Sequence, residues 1–232
     1  MREWLIGAQE KFIAAFITDD RWKLYLDGLG VTVMISLFAA VLGLVIGTIL
    51  AFMKLSAKEG KKTIWSVIAN VYIDVIRGTP TVLQILIMYN VIMVSSKNGV
   101  LIAVLTFGIN SGAYVAEIIR AGILAVDKGQ TEAGRSVGLS GVRTMAYIVL
   151  PQAFKNVLPP IGNEFIVLLK ETAIVGYVAL NDLTRISNQI TSRTYDAFMP
   201  LIGAAVIYFI IIKILTLLLA KLERRLRQSD NR

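Results

Sequence analysis

Between Leu29 and Phe52 the chain carries no charged residue, and an uninterrupted apolar run of about 18 residues or more is long enough to cross a bilayer as one helix. Lipid offers the backbone no hydrogen-bond partners, so such a run must close its own hydrogen bonds and becomes helical. The rest of the chain agrees: 56% of its 232 residues are hydrophobic, 17% are charged, and the mean hydropathy is +0.67, too apolar for a soluble domain of this length. The expected fold class is all-α and polytopic in the membrane. There is no cysteine and no histidine, which removes disulfides, thiolate chemistry, His-ligated metals and a Ser-His-Asp triad. No catalytic residue, metal or cofactor is expected on this chain.

Five spans follow from the apolar pattern: Leu29 to Phe52, Ile64 to about Val94, Val100 to about Ile123, Pro159 to about Val178, and Met199 to Ala220. The second is interrupted at Arg77-Gly78-Thr79-Pro80, where Gly and Pro bend or break a helix. The first contains Thr32, Ser36, Gly43, Gly47 and Thr48, small or hydroxyl residues that let membrane helices approach closely. Cations cluster after the first span (Lys54, Lys58, Lys61, Lys62), in the segment after the third (Lys128, Arg135, Arg143, Lys155) and after the fifth (Lys221, Arg224, Arg225, Arg227). With these segments inside, Lys and Arg are about twice as numerous inside as outside, which places the N-terminus out and the C-terminus in. The domain reading is residues 1–28 as an N-terminal extracytoplasmic interfacial helix, 29–220 as the five-span body, and 221–232 as a cytoplasmic basic tail. Trp4, Ala8, Phe12 and Phe16 recur at a spacing that lines one face of the interfacial helix. The basic tail reads as an anchor against anionic lipid, not a nucleic-acid surface.

The segment at residues 125–158 is too patterned for a plain linker. Glu132 to Val137 and Val142 to Val149 both read as short helices, with Gly138-Leu139-Ser140-Gly141 as the turn between them. Pro151 and Pro159-Pro160 then punctuate the return into the membrane. The spacing Glu132-Ala133-Gly134, three residues, Gly138, nine residues, Ile148, one residue, Leu150-Pro151 resembles the signature loop of ATP-binding-cassette importer permeases, which reads Glu-Ala-Ala, Gly, Ile and Leu-Pro at those places. Gly134 stands where the second Ala is usual, a small-for-small change that slightly loosens the helix. Residues 28–36, 77–80, 110–123 and 162–175 are similar to the polar amino acid branch of that superfamily, of the glutamine, arginine or histidine type.

That resemblance implies a type I importer permease fold. It also implies a translocation subunit partnered by two separate ABC ATPase subunits, a second permease copy or a paralogue, an extracytoplasmic amino acid binding protein, and the lipid bilayer of a bacterial cytoplasmic (inner) membrane. ATP and Mg would sit on the partner ATPase. The chain itself has no phosphate-binding loop: at Gly60-Lys61-Lys62, Leu55 stands where the first glycine should be and Lys62 where the hydroxyl should be. In the family the signature loop is a coupling helix that docks on the ATPase, which assigns coupling to Glu132, Ala133, Gly134, Arg135, Gly138, Leu139 and Pro151.

Charged and polar residues inside spans usually pair, face a bundle interior or line an aqueous path. Asn110, Ser111, Tyr114, Glu117, Glu164, Lys170 and Glu171 are the candidates for a path that accepts an amino acid's ammonium and carboxylate. Glu117 and Arg120, three apart, can also satisfy each other. Acids (Asp74, Glu117, Glu164, Glu171) exceed bases (Arg77, Arg120, Lys170), which leans toward a neutral polar or cationic cargo such as glutamine or arginine. The competing readings are a methionine permease within the superfamily, an ion-coupled secondary carrier, and a membrane scaffold or sensor. Neither of the last two needs a coupling loop.

Overall fold

The computed structural model describes residues 2–57 and 62–228, the side chains of residues 2–5, 227 and 228 excepted. Lys58, Lys61 and Arg232, and the side chains of Trp4 and Arg227, lie outside the described residues. These form ten α-helices joined by short π and 3-10 segments, with no strand among the described residues. They are α1 (Arg2–Phe12), α2 (Arg21–Leu55), α3 (Ile64–Arg77), α4 (Thr81–Ile87), α5 (Gly99–Leu124), α6 (Lys128–Ser136), α7 (Gly141–Thr144), α8 (Leu150–Glu171), α9 (Leu183–Thr194) and α10 (Phe198–Gln228).

The first long helix begins at Arg21, not at Leu29, and the chain turns just before it, where Asp19 and Asp20 adopt positive φ. The N-terminal arm folds back across this turn: Phe16 stacks on Tyr25 with centroids 5.2 Å apart, and Lys11 reaches Asp196 at 3.7 Å. Of the expected stripe, Phe12 and Phe16 are in ring contact at 4.9 Å.

Among the described residues three helical stretches are long and apolar enough to cross a membrane: the one ending at Leu55, α5, and α10. The expected second span is α3 and α4 with the following π turn, bent by 101°. Pro80 causes the bend, because it removes an amide from the ladder and forces the preceding residue out of helical geometry. The expected fourth span is not marked off by its prolines. Pro159 and Pro160 lie inside α8, which runs on from Pro151 without a break. The wider π turn at Met145–Val149, immediately before Leu150-Pro151, makes room for the proline ring in a continuous helical run. Lys155, Glu164, Lys170 and Glu171 interrupt the hydropathy of α8, so the length-and-composition criterion gives three spans, or four with the bent pair.

α2 and α5 form the spine. A Cβ added at Gly47 would sit 2.6 Å from Val115 Cβ, and one at Gly112 would sit 2.7 Å from Ile46 Cγ2, so the two helices touch nearly backbone to backbone. Around the spine, Ile35, Ala39, Ile85, Phe107, Leu168 and Val175 close one core cluster, and Ala51, Val115, Ile119, Val149, Ala153 and Val157 a second. Buried hydroxyls cost little because they bond within their own helices, as Thr32 to the Gly28 carbonyl (3.1 Å) and Ser36 to the Thr32 carbonyl (2.8 Å). At the start of α9, buried Asp182 accepts the amides of Thr184 (2.9 Å) and Arg185 (3.1 Å) as an N-cap. Burial raises its carboxyl pKa, and those amides oppose the shift.

Gly47→Val should destabilise the protein by about 1–3 kcal/mol through overpacking of the spine, read as a lower melting midpoint in detergent. Gly30→Ala, with open space around the new methyl, should melt no lower than the parent. Equal midpoints for Gly47→Val and the parent would contradict the close approach.

Candidate functional site

Two arrangements stand out, a folded loop at one end of the bundle and a chain of polar contacts inside it. The loop begins where Asp127 caps α6, accepting the Gly129 amide at 2.6 Å. α6 then ends in a Schellman motif: the Gly138 amide bonds the Arg135 carbonyl and the Leu139 amide bonds the Gly134 carbonyl, both at 3.1 Å. Gly138 has φ +87°, a conformation L side chains rarely adopt, and its surroundings are open. Its role is therefore backbone geometry at the turn. Ser140 next caps α7, and the chain continues through the π turn into α8.

Gly134 is buried, and a methyl there would stand 2.7 Å from Ile148 Cδ1 and 2.8 Å from Thr144 Cγ2. Glycine at this point is what lets α6 lie against α7 and the π turn, so the departure from Ala tightens the loop instead of loosening it. Glu132, Ala133, Arg135, Gly138 and Pro151 are exposed, while Leu139 is half-buried with its carbonyl accepting from Arg135 at 3.4 Å. The sequence reading missed Val137, Tyr147 and Val142, which are 78%, 74% and 82% exposed on the same loop. These exposed apolar side chains are interleaved with the exposed Arg135, Arg143 and Glu132, which gives the loop a mixed apolar and charged surface. Their signal in the sequence was an apolar residue at each edge of the Gly138-to-Gly141 turn.

Inside the bundle the expected polar residues fall into separate contacts. Ser111 on α5 donates to Glu164 on α8 at 3.1 Å, beside a cavity of about 260 Å³ lined by Val115, Leu158, Ile161, Phe165 and Leu222. Asn110, 2% exposed, donates to Gln84 Oε1 at 2.9 Å. Gln84 in turn donates to the Ile76 carbonyl and to Thr79 Oγ1, each at 2.8 Å, and Thr79 Oγ1 donates to the Val75 carbonyl at 2.9 Å. The carbonyls released by the Pro80 break are thus satisfied by side chains. Gln84 was not singled out in the sequence, although it is the one strongly polar residue of α4. Tyr114 lies under Arg77, 5.1 Å from ring centre to guanidinium, and Tyr72 ties α3 to α5 through the Ile109 carbonyl at 2.8 Å.

Glu117 does not rely on Arg120, which approaches it at 3.7 Å. Its closer partner is Lys54, in the last turn of α2. Because α2 runs on to Leu55, Lys54 belongs to the bundle and not to the loop, and the apparent surplus of intramembrane acid is one charge smaller than the sequence count. Lys170 is exposed and Glu171 half-buried, and among the described residues neither Glu164 nor Glu171 has an ion-pair partner. A larger polar cavity of about 630 Å³, between the 3-10 segment Thr172–Val178 and α9, is lined by Tyr177, Thr184, Arg185, Asn188, Gln189 and Ser192.

Residues 43–228 match the family described as binding-protein-dependent transport system inner membrane component. The chain is 42% identical over 208 residues to the arginine transport system permease protein ArtQ of Bacillus subtilis (strain 168), covering 88% of this chain and 93% of the relative. It is 36% identical to the glutamine transport system permease protein GlnP of Escherichia coli (strain K12), over 88% of this chain and 93% of that one. Among solved structures, an amino acid ABC transporter crystallised with histidines matches with a TM-score of 0.81 and 44% identity, over 88% of this chain and 94% of that one. The MetNI methionine ABC transporter, inward facing, shares the fold at a TM-score of 0.79 and 17% identity, over 90% of this chain and 99% of that one.

Gln84→Leu should lower stability by about 1–3 kcal/mol, because it strands the Ile76 carbonyl and the buried Asn110 amide. The Gln84→Leu/Asn110→Leu pair should cost less than the sum of the two single changes. Strictly additive losses in melting experiments would show that the two amides do not act as one contact.

Proposed function

Because the chain belongs to the family of binding-protein-dependent transport inner membrane components, we propose that it is the transmembrane subunit of an ATP-driven amino acid importer, with arginine or glutamine as cargo. It is a transport subunit and not an enzyme. ATP hydrolysis resides on a separate ATPase, and an extracytoplasmic binding protein delivers the cargo. The assembly we propose holds two permease chains and two ATPases, with ATP and Mg bound by the ATPases. In it the chain crosses a bacterial cytoplasmic membrane five times, N-terminus out and C-terminus in. The two crossings beyond the three long apolar helices are the bent α3–α4 pair and α8, whose Glu164 accepts from Ser111 of α5 inside the bundle.

The observation that carries this reading is the folded loop from Lys128 to Val149. It presents exposed Val137, Val142 and Tyr147 beside Glu132, Arg135 and Arg143, and it feeds directly into α8, the helix that bears Glu164. A push on the loop by an ATPase is therefore transmitted along one continuous rod to the Ser111–Glu164 contact. The cargo's ammonium needs an acidic acceptor, and Glu164 and Glu171 are acids on that rod that form no salt bridge among the described residues. The likeness to the methionine transporter is one of fold only and does not favour methionine as cargo.

Gly138→Val places a β-branched residue at φ +87°, a conformation that costs about 1–2 kcal/mol outside glycine, and so distorts the loop without touching the spans. The variant should insert and assemble, yet lose most of its cargo-stimulated ATPase; retention of parental stimulation would remove the loop from coupling. Separately, Glu164→Gln should leave basal ATPase near the parental level while slowing uptake. Parental uptake of both arginine and glutamine by that variant would take Glu164 off the path.

A further inference from the structure

We propose that Asp74 on α3 of one permease copy forms an ion pair with Lys213 on α10 of a second copy of this chain, inside the membrane. The proposal rests on the two-permease assembly above and adds the surface by which the copies meet.

Both side chains are exposed, and among the described residues neither makes a hydrogen bond or an ion pair. Arg77, one turn beyond Asp74, lies over Tyr114, and Lys54 and Arg120 both approach Glu117. On α8, which packs on α10, Glu164 is bonded by Ser111, and Lys170 stands beside Glu171 in the last turn, where it lines a cavity with Tyr208 and Ile212. Asp74 and Lys213 are therefore an unmatched acid and an unmatched base on two helices that are otherwise apolar.

They also match in depth. α3 starts at Ile64 on the cytoplasmic side, so at 1.5 Å per residue along its axis Asp74 stands at most about 15 Å into the membrane. Measured from Lys221, where α10 enters its cytoplasmic basic tail, Lys213 stands about 12 Å deep. Helical side chains lean toward their own N-terminus. For α10 this points Lys213 away from the cytoplasmic surface, so it does not snorkel there, and for α3 it points Asp74 back toward the cytoplasm. The two leanings close the difference in depth. A charge at this level facing hydrocarbon is costly, which is why intramembrane charges are found paired or in water.

The pair does not form within one chain. α3 packs on α2 and α5, whereas α10 packs on α8, α9 and the N-terminal arm. α10 is also the least covered of the long helices, with 6% of its apolar window buried against 61% for α5. A two-fold arrangement that brings α3 of each copy to α10 of the other makes two identical ion pairs at once, since a contact of one residue with another is repeated by symmetry.

The absence of native cysteine makes the test clean. Asp74→Cys and Lys213→Cys chains carrying different tags are co-expressed with the ATPase and binding protein, and membranes are treated with a short bifunctional thiol reagent. A disulfide itself is too short for the Cα separation of an Asp–Lys pair. The expected result is a cross-linked species bearing both tags, absent when either chain is expressed alone. In parallel, Asp74→Lys and Lys213→Asp singly should each cut uptake at least tenfold, and the combined exchange should restore it to within about threefold of the parent, given that like charges at an interface disrupt it. Assembled complex with neither the cross-link nor rescue overturns the ion pair and leaves the importer reading intact. Failure of two differently tagged parental chains to co-purify overturns the two-copy assembly itself, whether the true neighbour is a paralogue or none.

Discussion

The close contact of α2 with α5 is the constraint on which the remainder of the molecule depends. Between membrane helices there is little hydrophobic gain, so association rests on dispersion, and dispersion requires near-touching surfaces. Gly47 against Val115 and Gly112 against Ile46 supply that. Once the two helices are locked, the polar residues of α5 have determined neighbours: Ser111 meets Glu164 of α8, Asn110 meets Gln84 of α4, and Glu117 meets Lys54 in the last turn of α2. The first two contacts join α8 and α4 to the spine, and the third ties its two helices together.

The second level of organisation is the management of a broken helix. Pro80 frees carbonyls that lipid will not satisfy, and Gln84 and Thr79 satisfy them from the side chain. Gln84 also holds Asn110, so the sharp bend between α3 and α4 is tied to the spine at the point where α5 carries its polar residues. At the other end of the molecule the loop from Lys128 to Val149 is stiffened by two caps and a Schellman motif before it joins α8. A stiff loop joined to a continuous helix is what mechanical coupling to a motor on another chain requires.

Much of this was legible in the sequence for identifiable reasons. The long uncharged run, the Gly-Thr-Pro break and the turn at Gly138 are local signals, each written in consecutive residues, and the structure places helices, a bend and a turn there. The signature spacing likewise pointed to the family. What the sequence hid was non-local. Nothing near Glu117 announces Lys54, 63 positions away, and Gln84 is a single polar residue in an apolar stretch until Asn110 is placed beside it. The extents of α2 and α8 were misread because charged and proline residues count as breaks on a hydropathy scale. In the fold, Arg21 to Asp27 continue one helix, and a π turn absorbs Pro151. Gly134 looked like a slight loosening of the helix because its neighbours, Thr144 and Ile148, come from beyond the turn.

The function proposed for this chain is to convert hydrolysis on another subunit into movement of an amino acid. The most direct measurement is purification of the tagged chain from its native membrane, followed by reconstitution of whatever co-purifies into liposomes with the cognate binding protein. The account predicts a stoichiometric ABC ATPase and vanadate-sensitive hydrolysis, stimulated by binding protein loaded with arginine or glutamine, together with uptake of that amino acid. A chain that purifies intact without an ATPase, and moves either amino acid in response to an ion gradient alone, would contradict it.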